Sequence, residues 1–72
     1  MMKYERIRNL REDMDLTQTS LADYLNVSQR AYSRYENGER GISTEILIKI
    51  ADYYNTSTDY LLNRTDTKEP YA

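Results

Sequence analysis

At 72 residues and a formal net charge of −2, the chain has room for one small domain and no general attraction to phosphate-rich partners. It contains no cysteine and no histidine, which excludes disulfides, thiolate metal sites and the usual general base. The longest aliphatic run, Ile46-Leu47-Ile48, falls far short of a membrane span or a signal-peptide core, so a soluble, cytoplasmic protein is expected.

The hydrophobic pattern is helical throughout, and the expected fold class is all-α with five helices. Tyr4, Ile7, Leu10 and Met14 recur at threes and fours and place a first helix over about Tyr4–Met14. Thr17 then suits the cap of a second helix, with Leu16 able to pack on Leu21 four residues past the cap. Leu21, Ala22, Tyr24 and Leu25 lie on that helix. Asn26 tolerates the left-handed backbone that ends helices. Val27-Ser28 repeats the same starting device, with Ser28 as cap and Val27 able to meet Tyr32. The third helix runs from Gln29 to about Glu36 and stops at Asn37-Gly38. That dipeptide also signals a hairpin, but no alternating strands flank it.

Glu39 to Ile42 form a loop. Ser43 caps a fourth helix with Leu47, Ile50, Ala51 and Tyr54 on its buried face, and Asn55 ends it. Ser57 caps a short fifth helix bearing Tyr60, Leu61 and Leu62. A domain over residues 1–63 is expected, followed by a polar, flexible tail over 64–72 that contains Pro70.

Charge is unevenly placed along this plan. From Met1 to Thr44 seven basic and seven acidic residues cancel, while from Glu45 to Ala72 three basic residues meet five acidic ones. The deficit therefore belongs to the second part of the chain. Eight tyrosines stand beside no phenylalanine and no tryptophan, so tyrosine must supply the aromatic core. Tyr4, Tyr32, Tyr35 and Tyr54 read as packed residues rather than as base-stacking platforms. No carboxylate falls into a metal-ligand or acid/base constellation, so neither catalysis, a metal, a cofactor nor a small-molecule ligand is expected.

Two short helices across a tight turn, with the small Ala22 at their crossing, are the minimum of a helix-turn-helix. The stretch from Gln18 to Gly38, QTSLADYLNVSQRAYSRYENG, resembles that motif in the phage repressor and Cro-type (Xre) family. Leu47-Ile-Lys-Ile-Ala51 and Asp59-Tyr-Leu-Leu62 are similar to the family's fourth and fifth helices, so the resemblance covers roughly Tyr4 to Leu62. It implies a five-helix lambda-repressor-like fold and a transcriptional regulator, a repressor, that binds a double-stranded DNA operator as a homodimer.

The site residues follow from the same resemblance. Gln18 would hold a phosphate and brace Gln29, which would pair with adenine through N6 and N7. Arg30 and Arg34 would each be able to contact guanine, and Ser33 would make a minor base contact. Ser28, Asn37 with the backbone just after it, and Arg40 would hold the sugar-phosphate chain. Arg11 and Glu36 would form a structural ion pair. Tyr60 and Leu62 would lie at the dimer interface. Three positions depart from the family pattern: Asn26 replaces a glycine, Tyr32 an aliphatic residue and Ile42 a frequent proline. A rival reading is a protein-interaction module, such as an antitoxin or a regulatory adaptor, that keeps this fold without DNA. The acidic balance favours it, and the retained Gln18, Gln29 and Asn37 oppose it.

Overall fold

Four of the five helices begin with the same local chemistry. A computed structural model describes residues 4–69, with α1 at Glu5–Asp13, α2 at Gln18–Leu25, α3 at Gln29–Asn37, α4 at Thr44–Tyr54 and α5 at Thr58–Leu61. Before α2, α3, α4 and α5 stand Thr17, Ser28, Ser43 and Ser57 in extended backbone conformation. Each side-chain oxygen accepts from the backbone N–H three residues on, at 3.1, 3.0, 3.2 and 3.0 Å. A hydroxyl there satisfies one of the N–H groups that a helix start leaves unpaired.

The stops are equally local. Asn26 (φ 58°), Asn55 (φ 53°) and Gly38 (φ 76°) take left-handed conformations directly after α2, α4 and α3. In the α1–α2 connection Asp15 also has a positive φ, 56°, and turns the chain toward Thr17. Leu62, expected within the fifth helix, instead caps its C-terminus, followed by Asn63 at φ 64°.

The core lies where the helical stripes meet. Ile7 and Leu10 of α1, Leu21, Ala22 and Leu25 of α2, Tyr32 and Tyr35 of α3, Ile50 and Ala51 of α4 and Leu61 of α5 are buried together with Tyr4. Leu16 and Val27, one residue before the caps of α2 and α3, pack against this cluster. Of all helix pairs, α2 and α3 pack most extensively. Ala22, only 1% exposed, provides the small side chain their close approach needs. Tyr32 is fully buried where the family pattern has an aliphatic residue, and its hydroxyl and that of Tyr54 are both inside.

Residues 64–69, read from composition as the start of a frayed tail, fold back onto the domain. Arg6 of α1 donates to the Tyr60 and Thr65 carbonyl oxygens and pairs with Asp66 at 2.8 Å, while its guanidinium lies 4.2 Å from the centre of the Tyr60 ring. The Thr56 hydroxyl donates to the Lys68 carbonyl. Polarity predicted a solvated segment. The tie comes instead from a cation held more than fifty residues earlier in the chain, which a local reading does not see. Pro70 and the last two residues lie outside the described residues.

Candidate nucleic-acid interface

Within α3 the residues divide cleanly between core and surface. Tyr32, Tyr35 and Glu36 point inward, whereas Gln29, Arg30, Arg34 and Asn37 are exposed and Ser33 is half-buried. Gln29, Ser33 and Asn37 follow one another at intervals of four, and Arg30 and Arg34 form the adjacent row. Five polar side chains thus share one outward face of a nine-residue helix.

Arg30 and Arg34 have no carboxylate partner among the described residues. Arg40, in the loop after α3, stands 5.6 Å from the centre of the Tyr35 ring and is likewise without a carboxylate. The neighbouring Glu39 pairs with none of the three. A planar guanidinium left free in this way suits bidentate recognition of a base edge or a phosphate.

At the start of α3 the glutamine pair is already assembled. Gln29 Nε2 donates to Gln18 Oε1 at 2.7 Å, and Gln18 Nε2 donates in turn to Glu36 Oε1 at 3.2 Å. Arg11 closes the series with Nε and Nη2 donating to the two Glu36 carboxylate oxygens at 2.7 and 3.2 Å and Nη1 donating to the Leu16 carbonyl at 2.8 Å. Glu36 is buried and the Arg11 side chain is 13% exposed, so the pair sits mostly out of water. The Glu36 hydrogen bond holds the Arg11 guanidinium above its ordinary pKa despite the opposing effect of burial. Burial, with Glu36 as a neighbouring negative charge, likewise pushes the Tyr32 hydroxyl far up.

The remaining residues divide between those open to a ligand and those occupied. The Ser28 hydroxyl is exposed but accepts from Ala31 N, leaving its hydrogen as the available group. The backbone just after Asn37 differs from expectation. The N–H groups of Gly38, Glu39 and Arg40 already donate to Tyr35 and Arg34 carbonyls at 3.0–3.3 Å, because the helix end closes on itself. The next donors, Gly41 and Ile42, have no partner among the described residues, and Gly41 lies in open space. At the end of the described helices, Leu62 is exposed at 40%, and Tyr60 is half-buried beneath Arg6.

Sequence reasoning did not anticipate the Gln18–Glu36 bond or the many-partnered Arg6. Both join residues distant along the chain, and spacing carries no signal for them.

Comparison with known proteins bears on the same elements. A family described as helix-turn-helix matches residues 7–61. The chain belongs to this repressor and Cro-type (Xre) helix-turn-helix family. Over 65 residues, 90% of its length, it is 40% identical to the cryptic phage CTXphi transcriptional repressor RstR of Vibrio cholerae. Over a stretch of equal length it is 34% identical to the HTH-type transcriptional regulator ImmR of Bacillus subtilis. It covers 58% and 51% of those two proteins, so it spans little more than half the length of these relatives. Its fold matches the P22 c2 repressor, solved with a synthetic operator, at a TM-score of 0.79 and 31% identity, covering 90% of this chain and 98% of that one. The fold class is thus the five-helix, lambda-repressor-like one.

Proposed function

We propose that this Xre-family chain is a sequence-specific double-stranded DNA-binding transcriptional regulator, a repressor, that places α3 in the major groove. The observation that carries the reading is the outward face of α3. It combines a glutamine already braced by a second glutamine with two arginines that no carboxylate among the described residues neutralises. Gln29 pairs with adenine, Arg30 and Arg34 contact guanine, and Ser33 makes a lesser base contact. Gln18, Ser28, Asn37 and Arg40 hold phosphates and fix register, joined by the free N–H groups of Gly41 and Ile42.

A single short recognition helix reads only a few base pairs, so specific affinity calls for two copies. The protein acts as a homodimer on half-sites about 34–36 Å apart, with Tyr60 and Leu62 at or near the subunit contact. Its work is binding in the cytoplasm rather than catalysis.

The test is selection of bound duplexes from a random library at moderate salt, with wild type beside Arg34→Ala. The expected result is a palindromic motif that loses definition at one position per half-site in the variant. Absence of any enriched motif at any salt, together with a tight protein partner, would overturn the reading in favour of an interaction module. A monomer in sedimentation, both free and on DNA, would remove the dimer.

A further inference from the structure

We infer that Glu36 is a positioning residue for base readout: its buried carboxylate, acting through Gln18, decides which way round the Gln29 side-chain amide faces DNA. The inference rests on the DNA-binding reading above and deepens it by assigning specificity to a residue that never reaches the groove.

The direction of each bond follows from chemistry at the two ends. The Arg11 guanidinium can only donate, and an ionised carboxylate can only accept. Glu36, held by Arg11 at 2.7 and 3.2 Å, can meet Gln18 only through the Gln18 NH2 group, 3.2 Å away. The carbonyl oxygen of Gln18 is thereby turned toward Gln29. Only the Gln29 NH2 group can satisfy it, and that bond is 2.7 Å long. A glutamine in water flips its amide freely. Here each flip would set acceptor against acceptor or donor against donor, so one orientation survives at both residues.

What remains of Gln29 is a carbonyl oxygen and a second amide hydrogen, neither with a partner among the described residues. An acceptor beside a donor in fixed order complements adenine, which offers the N6 amino hydrogen and N7. Reversing the relay would reverse that order. Burial strengthens the control, because Glu36 is 1% exposed and water does not compete for its oxygens.

Glu36→Gln tests this directly. Arg11 donates to both Glu36 oxygens, through Nε at 2.7 Å to one and through Nη2 at 3.2 Å to the one that Gln18 also meets. Keeping the oxygen at the shorter contact turns the new NH2 group toward Gln18 and makes Gln18 and then Gln29 flip. Duplex selection with Glu36→Gln and Gln18→Leu should lower the adenine preference about tenfold at one position per half-site. That position is the one Gln29→Ala erases, and the other positions should keep their definition. In the DNA-free protein, the 15N side-chain amide resonances of Gln18 and Gln29 should both move in Glu36→Gln, and that of Gln29 in Gln18→Leu.

Unchanged adenine preference and an unmoved Gln29 resonance in both Glu36→Gln and Gln18→Leu would overturn the inference. If Glu36→Gln does not fold, Gln18→Leu decides. Weakening by the same factor on every sequence, with a salt slope shallower by about one and the adenine preference unchanged, would leave Gln18 with its phosphate contact alone and overturn the relay. Wild type with no selected motif would overturn the DNA reading itself, while amide shifts that still move would leave the relay standing as structure without readout.

Discussion

The arginines of α1 and those of α3 are chemically identical and placed to opposite ends. Arg6, Arg8 and Arg11 all close on partners within the protein: Asp66 and the Tyr60 ring, Glu12 at 3.2 Å one turn on, and Glu36. Arg30 and Arg34 close on none among the described residues. A net charge of −2 averages over this contrast and hides it. Affinity for DNA depends on cations free to meet phosphates and bases; Arg30 and Arg34 stand together on one helix face with Arg40 just beyond it, whereas the acidic excess lies in residues 45–72.

Truncation on each side sharpens the contrast. Arg11→Ala strands a buried carboxylate and should cost about 3–5 kcal/mol, much of what a domain this size has to lose. Arg34→Ala removes an exposed side chain with no carboxylate partner among the described residues and should move stability by less than about 0.5 kcal/mol. Urea denaturation midpoints compare the two, and an Arg11→Ala protein as stable as Arg34→Ala would erase the distinction between them.

Arg6 is intermediate, since its side chain is 20% exposed and Asp66 is fully exposed. Exposure of the acid leaves little for the ion pair itself, so the carbonyl contacts and the Tyr60 ring carry most of the effect. Arg6→Ala should cost about 1–2 kcal/mol and speed hydrogen exchange at residues 60–66 ahead of the rest. Unchanged exchange there would mean that Arg6 does not hold the segment.

The smallest effect at neutral pH belongs to the buried hydroxyls. Tyr32→Phe and Tyr54→Phe each keep the ring and should shift stability by less than about 1 kcal/mol near pH 7. At high pH they become informative. Burial raises both hydroxyls well above the usual tyrosine range, Tyr54 with further help from Tyr53. Tyrosines of the unfolded chain ionise from about pH 10, where these two keep their protons. Stability from this source is therefore complete below about pH 10 and declines as pH rises beyond it. The double phenylalanine variant should lose that decline in thermal melts taken between neutral and strongly alkaline pH.

Much of this arrangement is legible along the chain, for a short-range reason. Thr17, Ser28, Ser43 and Ser57 cap because a hydroxyl reaches an N–H three residues on, and Asn26, Asn55 and Gly38 stop helices through their own backbone preferences. The outward face of α3 follows from helical period alone once its start and stop are placed. Resemblance added the pairing of Arg11 with Glu36 and of Gln18 with Gln29. It did not show that the N–H groups of the three residues after Asn37 turn back into the helix end.

Helix number, caps, stops and most of each buried face were determined by the sequence itself, because each depends on atoms within a few residues of one another; Met14, Tyr24 and Leu62, counted with the apolar stripes, are exposed instead. Tertiary structure decided where Arg6 finds Asp66, how the segment after Asn63 folds back, and that Gln18 reaches Glu36 as well as Gln29. Those contacts join residues 11 to 60 positions apart. They exist only because packing of the apolar stripes brings the helices together, and a polar pair has no say in that packing until the core has formed.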